Sequence, residues 1–496
     1  METPLSQDTS FKRIGKDTLI YGLQPALSRL VSFLMLPVYT RFLTPADYGV
    51  LQLLETTADI AAIIFVAGAI AGTQRFYFKA TTDRGRLEVI STAFLLLTIH
   101  ALLGAIGLLA GASLVHDFIL RGFGTVEQIQ ITALNFWTAT LASVPMLYLQ
   151  ITQRSGLFTV IGVGRLVVQL SLNILFVVGL KWGVTGVLMS TLITNTLVGS
   201  ILAANMLRTV GIKFSRTVWA DMRRFGRPAK FTNTGSYILN FGDRYFIQAF
   251  SGPAAVGLYG IAYQFGFVFS QFCTAPFLRA WSPVRFMLST EPPEKRNPTY
   301  DRGFSLFSIL QMIGFTTIAL GIRPMLIVMT TPDFHSAASF VPVIVAAYVA
   351  QAWTETWRFQ IDMSEKTKYY AYATLIAVAL TLGLYAVLIP RFGAAGAAWA
   401  TFLGFAFRSV VTRWFAQRLW PVPVSWGRIR GLALLSLAVV LGGSRVPTMP
   451  VVPLTLILML VGVGYLGVVW AVFLTPEDRV AARAGLTGIL PRLRRA

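Results

Sequence analysis

Runs of about twenty apolar residues, long enough to cross a bilayer core at 1.5 Å rise per residue, recur along this chain between short polar breaks. Fourteen are read, at 17–39, 48–74, 87–114, 127–151, 157–180, 184–207, 227–250, 254–278, 303–329, 337–361, 369–389, 393–417, 429–446 and 452–474. The pattern predicts an all-α polytopic membrane protein of about 14 transmembrane helices. Pro447, Pro450 and Pro453 crowd the final hairpin, which leaves twelve as the alternative count. Mostly polar residues occupy 1–16, and no small-residue cleavage site follows, so the first span is expected to remain as a helix. The loops are short, and none is long enough for a folded extramembrane domain.

Basic residues give these spans an orientation. With the N-terminus placed in the cytoplasm and residues toward span ends counted with the adjoining segment, 32 of the 42 Lys and Arg fall on the cytoplasmic side and 6 on the opposite side. The remaining four, Arg29, Arg165, Arg244 and Arg408, lie within spans. A miscounted helix would scramble this alternation, so the split supports both the spans and cytoplasmic N- and C-termini. Composition agrees: 55% of the 496 residues are apolar and 13% charged, against about 25% charged in soluble proteins. A soluble multi-domain enzyme and a disordered chain are both excluded. The net charge of +21 is explained by the positive-inside bias, so nucleic acid is not expected as a partner. Cys273 is the single cysteine, and His100, His116 and His335 lack metal-ligand spacing, so no metal or cofactor is expected. No GxxxxGK[ST] loop occurs, so direct use of ATP is not expected, and any work done across the membrane would run downhill or couple to H+, Na+ or the membrane potential.

The chain also repeats itself. Pro45-Ala-Asp-Tyr-Gly49, between the first two spans, returns as Pro253-Ala-Ala-Val-Gly257 between the seventh and eighth, an offset of 208. Lys181-Trp-Gly183-Val-Thr-Gly186 returns as Arg391-Phe-Gly393-Ala-Ala-Gly396, an offset of 210. Two matches at nearly one period, six spans apart, predict a parallel repeat about an axis along the membrane normal, with a site between the halves. The expected organisation is a cytoplasmic tail (1–16), an N-lobe (17–207) and a basic cytoplasmic linker (208–226). A C-lobe (227–417), two additional helices (418–475) and a basic cytoplasmic tail (476–496) follow.

An ionisable side chain inside a span must find water or a partner, and marks a candidate site. Arg29 falls near the midplane of the first span. Glu55 and Asp59, one helical turn apart on the second, reach similar depth beside Gln52. They are read as a salt bridge or as coupling carboxylates that substrate could release. Asn233, Ser236, Asn240, Asp243 and Arg244 form a polar stripe on the seventh span, which is expected to face the cavity or neighbouring helices. Arg165 and Arg408 have no local carboxylate, which suits a solvated cavity awaiting an anion. Glu355 and Arg358, spaced i, i+3 near the cytoplasmic end of the tenth span, read as a structural pair or gate.

The first hairpin, Tyr21-Gly-Leu…Leu36-Pro-Val-Tyr-Thr40-Arg41-Phe-Leu-Thr-Pro45…Tyr48-Gly49, resembles that of Wzx-type polysaccharide flippases. These belong to the multidrug/oligosaccharidyl-lipid/polysaccharide (MOP) exporter superfamily. Gly242-Asp243-Arg244-Tyr245 followed by Gly257-Leu-Tyr259 is similar to that family's Asp-Arg and Gly-x-Tyr pattern. The resemblance covers the first twelve spans. It implies a V-shaped pair of six-helix lobes that flips a polyprenyl-diphosphate-linked oligosaccharide to the periplasmic leaflet of the bacterial cytoplasmic membrane. Polysaccharide polymerase machinery is a further implied partner, beside membrane lipids. Fourteen spans rather than twelve bring the chain nearer the lipid II flippases. A multidrug or cation exporter of the same superfamily stays open as the alternative. A membrane enzyme is disfavoured, because no acid–base or nucleophile constellation sits on a long loop. Arg29, Arg165, Arg244 and Arg408 are the candidate ligands for an anionic headgroup, since guanidinium can grip diphosphate bidentately. Glu55, Asp59 and Asp243 are the candidate coupling or salt-bridge groups.

Overall fold

The computed structural model describes residues 31–480 except 32, 67, 68 and 448. Its described residues are helical, with no strand among them. Among the described residues, eight helices are long and apolar enough to cross a membrane, and a ninth arises if Pro332–Ser339 and Val341–Met363, bent by 46°, form one span. Helix boundaries follow the apolar pattern closely: Asp83–Ala110, Val126–Ile151, Gly183–Val210 and Trp426–Ser444 coincide with expected spans to within a few residues. Two helices are continuous by hydrogen bonding but broken in direction. Asp243–Phe269 turns at Gly252 (φ 79°), just before Pro253, and Lys368–Leu419 turns at Gly393 (φ 56°), just after Pro390. The first break falls between two predicted spans and the second at the first residue of one.

Local chemistry explains where the helices start. Thr44 accepts from the Asp47 amide while Asp47 reaches back to the Thr44 amide, a reciprocal cap for Pro45–Phe65. Thr125 and Gln128 do the same for Val126–Ile151. The other faces are apolar outward: Leu103, Ile106, Val160 and Ile201 are all more than half exposed. Such a surface belongs against lipid.

The chain forms two compact units. The first is Met1–Ile261 with Thr374–Thr401, and the second is Ala262–Ala373 with Phe402–Ala496. Within the first, Ile90, Phe94, Leu97, Val144, Leu147, Ala203 and Met206 join three long helices in one buried cluster. The repeat is visible in its packing. A Cβ on Gly49 would lie 1.8 Å from the Pro253 carbonyl oxygen, and one on Gly257 would lie 2.0 Å from the Pro45 carbonyl oxygen. Each glycine of the repeated motif thus admits the other's proline carbonyl, as a local twofold relation requires. Gly183 and Gly393, equivalent under the 210-residue offset, share a φ of 56°. Glycine adopts such a positive φ without steric cost.

In the second unit, aromatic clusters join Phe304, Trp357, Tyr370 and Ile429. A polar clamp holds the segment after the last helix. Arg302 donates to Asp478 at 2.7 Å and to Glu477 at 2.8 Å, while Asp301 accepts from the Ser425 amide and hydroxyl. Burial alone would raise the Asp478 pKa, but hydrogen bonds from Thr475 and Arg302 outweigh it and hold the carboxyl below its usual range. A depressed folded-state pKa stabilises at pH above the unfolded value of about 3.9, and that contribution fades as pH falls through the folded value. Protease protection of the 475–480 segment should therefore be flat from pH 7 to 5 and fall below about pH 4. Asp478→Asn should weaken protection at neutral pH and remove the acid transition.

Candidate functional site

The first unit contains a cavity of about 560 Å³ lined by the Pro45–Phe65, Val126–Ile151 and Gly183–Val210 helices. Glu55 and Asp59 are exposed to it, as the i, i+4 spacing predicts. Gln52 donates to Glu55 at 3.3 Å, and the Tyr237 hydroxyl donates to Asp59 at 3.3 Å. Opposite them stand Thr132, Asn135, Thr140, Ser143, Thr191 and Asn195. The hydroxyls of Thr132, Thr140, Ser143 and Thr191 donate to carbonyls of their own helices, so what they offer the cavity is oxygen lone pairs. The Asn135 amide nitrogen is spent on the Leu188 carbonyl, and its buried oxygen has no partner among the described residues. Together with the two carboxylates these groups make a surface rich in hydrogen-bond acceptors. No Lys or Arg lines it among the described residues.

The candidate arginines are placed differently. Arg29 lies outside the described residues. Arg165 donates to the Asn195 side-chain oxygen at 2.7 Å, one residue behind the cavity wall. That bond turns the Asn195 amide nitrogen toward other acceptors. Arg244 does not open onto a cavity: it is 1% exposed and pairs with Asp243, 0% exposed, at 3.0 Å. Asp243 also accepts from Tyr259 at 2.6 Å and from Thr401 at 3.2 Å, and Tyr385 joins Thr401 at 3.1 Å. Arg244 Nη1 donates further to the Asn240 carbonyl, and its guanidinium stacks on Phe241 at 4.8 Å. Adjacent charges of opposite sign, both sealed from solvent, satisfy one another rather than waiting for a ligand.

Arg408, in the second unit, is likewise buried, at 3% exposure. It donates to the Tyr370 hydroxyl and stands 4.0 Å from Glu355. Glu355 in turn pairs with Arg358 at 3.7 Å, and Arg358 with Asp362 at 3.6 Å. The expected Glu355–Arg358 pair is therefore present within a larger cluster that also takes up Arg408. Arg408 lacks a carboxylate only along its own helix. Sequence reasoning did not find Tyr237, Tyr370, Tyr385 and Thr401, which join these charges from other helices or across a helix break, whereas Tyr259 was marked by the Gly257-x-Tyr259 motif.

Comparison with known proteins adds a family to this geometry. The profile of a family described as polysaccharide biosynthesis protein matches residues 14–289, more than half of the chain. The chain belongs to that family. A search of curated proteins found no match. Among solved structures, the lipid II flippase MurJ in an inward closed conformation matches with a TM-score of 0.70 at 12% identity. That match covers 91% of this chain and 97% of MurJ. An inward-facing multidrug resistance MATE family transporter of the MOP superfamily matches with a TM-score of 0.63 at 15% identity, over 82% of this chain and 96% of that one. An outward-facing MATE structure matches with a TM-score of 0.57 at 13% identity, over 85% and 96%. The chain thus shares the fold of these structures, and its resemblance to the MOP superfamily is borne out.

Proposed function

We propose that this polysaccharide biosynthesis protein flips a polyprenyl-diphosphate-linked oligosaccharide from the cytoplasmic to the periplasmic leaflet by alternating access. The observation that carries the reading is the acceptor-rich cavity in a chain of this family. Sugars are dense in hydroxyl donors, and a wall of carboxylate and hydroxyl oxygens is built to receive them. The glycan would ride in the cavity of the first unit while its prenyl chain stays in the bilayer. Inward-facing and outward-facing MATE structures of the same fold support a cycle of this kind. The 32-to-6 division of basic residues supports N- and C-termini in the cytoplasm.

Glu55 and Asp59 are the coupling candidates, because each can carry a proton or attract Na+ while facing the cavity. Asp59→Asn combined with Glu55→Gln should slow flipping and flatten its response to external pH. The same two carboxylates favour one second reading, export of an organic cation, since they are the only charged groups among the described lining residues. The readings separate in cells. Depleting the protein should leave its lipid-linked glycan sealed from an impermeant carbohydrate oxidant added outside. A glycan equally oxidised with and without the protein would remove the flippase reading.

A further inference from the structure

A second cavity, of about 420 Å³, lies in the second unit among helices that include Val341–Met363 and Trp426–Ser444. Its length is apolar, lined by Met312, Phe315, Val349, Phe402 and Leu437. Val410 and Leu437, on its rim, are 66% and 49% exposed, so the groove opens on a surface that lipid would cover. One end is different. There the Arg413 guanidinium lies against the touching rings of Trp357 and Trp426, at 4.7 Å and 4.6 Å. Trp353 meets Trp426 edge-on at 6.1 Å and closes the box.

Two donors in that box are unused. Arg413 Nη1 and the Trp353 indole nitrogen are both buried without a hydrogen-bond partner. Of the other deep arginines described above, Arg244 and Arg408 each have an acidic neighbour and Arg165 has the Asn195 side-chain oxygen. No described carboxylate pairs with Arg413. Indole and guanidinium can only donate, so their missing partner is an acceptor, and an anionic one best offsets a desolvated cation. The acceptor must also come with an apolar body that fills the groove. Arg413 borders the segment containing Arg418, Arg428 and Arg430, which the basic-residue pattern places at the cytoplasmic leaflet. Anionic lipids of that leaflet are drawn to basic pockets between helices.

We infer that this groove is a binding site for an anionic glycerophospholipid, with its phosphate on Arg413 and Trp353 and an acyl chain along the groove. The site does not depend on the flipping reading. Pinning the Arg413 box from the lipid side would fix the helices bearing Trp357, Arg413 and Trp426 against one another.

The test is native mass spectrometry of the full-length protein taken from nanodiscs holding equal phosphatidylglycerol and phosphatidylcholine. Wild type should retain phosphatidylglycerol over phosphatidylcholine by about tenfold, in line with a charge-assisted hydrogen-bonded contact. Arg413→Gln should lose that preference. Trp353→Phe, which keeps a ring and loses only the N–H, should reduce it severalfold and serves as the readout if Arg413→Gln does not fold. Equal retention of both lipids by wild type would overturn the inference, as would full preference in both variants. Displacement of phosphatidylglycerol by equimolar polyprenyl diphosphate would assign the groove to that lipid instead and overturn it too.

Discussion

Gly49→Val is expected to abolish flipping while leaving the protein in the membrane. The valine Cβ would start 1.8 Å from the Pro253 carbonyl oxygen, and the obstacle is backbone, which cannot swing aside like a side chain. Gly257→Val meets the Pro45 carbonyl in the same way, at 2.0 Å. Overpacking of this kind costs about 1–3 kcal/mol, and two facing backbones put it at the upper end. About 3 kcal/mol shifts a two-state equilibrium by roughly 150-fold. Nearby ties reinforce the same contact region: Gln248 donates to the Leu120 carbonyl at 2.8 Å and Arg121 to the Ala249 carbonyl at 2.7 Å. In the alternating-access cycle proposed above, these contacts would close one end of the cavity and separate to open it. Valine at either glycine should therefore hold that end open, and Gly49→Val with Gly257→Val should be no worse than either alone. Thiol labelling of a cysteine placed at Thr132 from the periplasm reads the open state directly. Unchanged labelling with normal flipping in both single variants would remove the crossing from the cycle.

Asp243 and Arg244 should give the second large effect, and on stability first. Truncating one member of a buried pair strands the other charge, a loss of about 3–5 kcal/mol. Total stabilities are only about 5–15 kcal/mol, so Arg244→Ala and Asp243→Ala should both lower abundance sharply. The sequence alone suggests otherwise, because an intramembrane arginine with a polar stripe reads as a cavity ligand whose loss spares folding. Burial of Arg244 at 1% exposure reverses that expectation. Asp243→Asn combined with Arg244→Gln removes both charges, keeps hydrogen-bonding capacity toward Tyr259 and Thr401, and should recover most of the abundance. Normal accumulation of both alanine variants, with flipping alone lost, would return the pair to the substrate path.

These two cases mark where the sequence was legible. Apolar run length located the helices because each backbone must satisfy its own hydrogen bonds in lipid. Proline and glycine located the breaks at Gly252 and Gly393. The repeat was readable because Gly49 and Gly257 serve the same close approach, which tolerates no side chain. Partners were not readable. Tyr370 meets Arg408 from 38 residues away and Thr401 meets Asp243 from 158 away. A polar stripe on one helix gives direction but not the neighbour it meets. The acceptor character of the cavity was hidden for a related reason: the hydroxyls of Thr132 and Thr191 look like donors until their bonds to helix carbonyls are seen.

The measurement that bears most directly on the proposed activity uses the purified protein in liposomes with a fluorescent polyprenyl-diphosphate oligosaccharide and an impermeant quencher. Without protein, only outer-leaflet label should be quenched. With wild type, quenching should go nearly to completion, and Gly49→Val should return it to the protein-free level. Quenching that stays at the outer-leaflet fraction with wild type, in vesicles that take up an organic cation against a proton gradient, would contradict the flippase account.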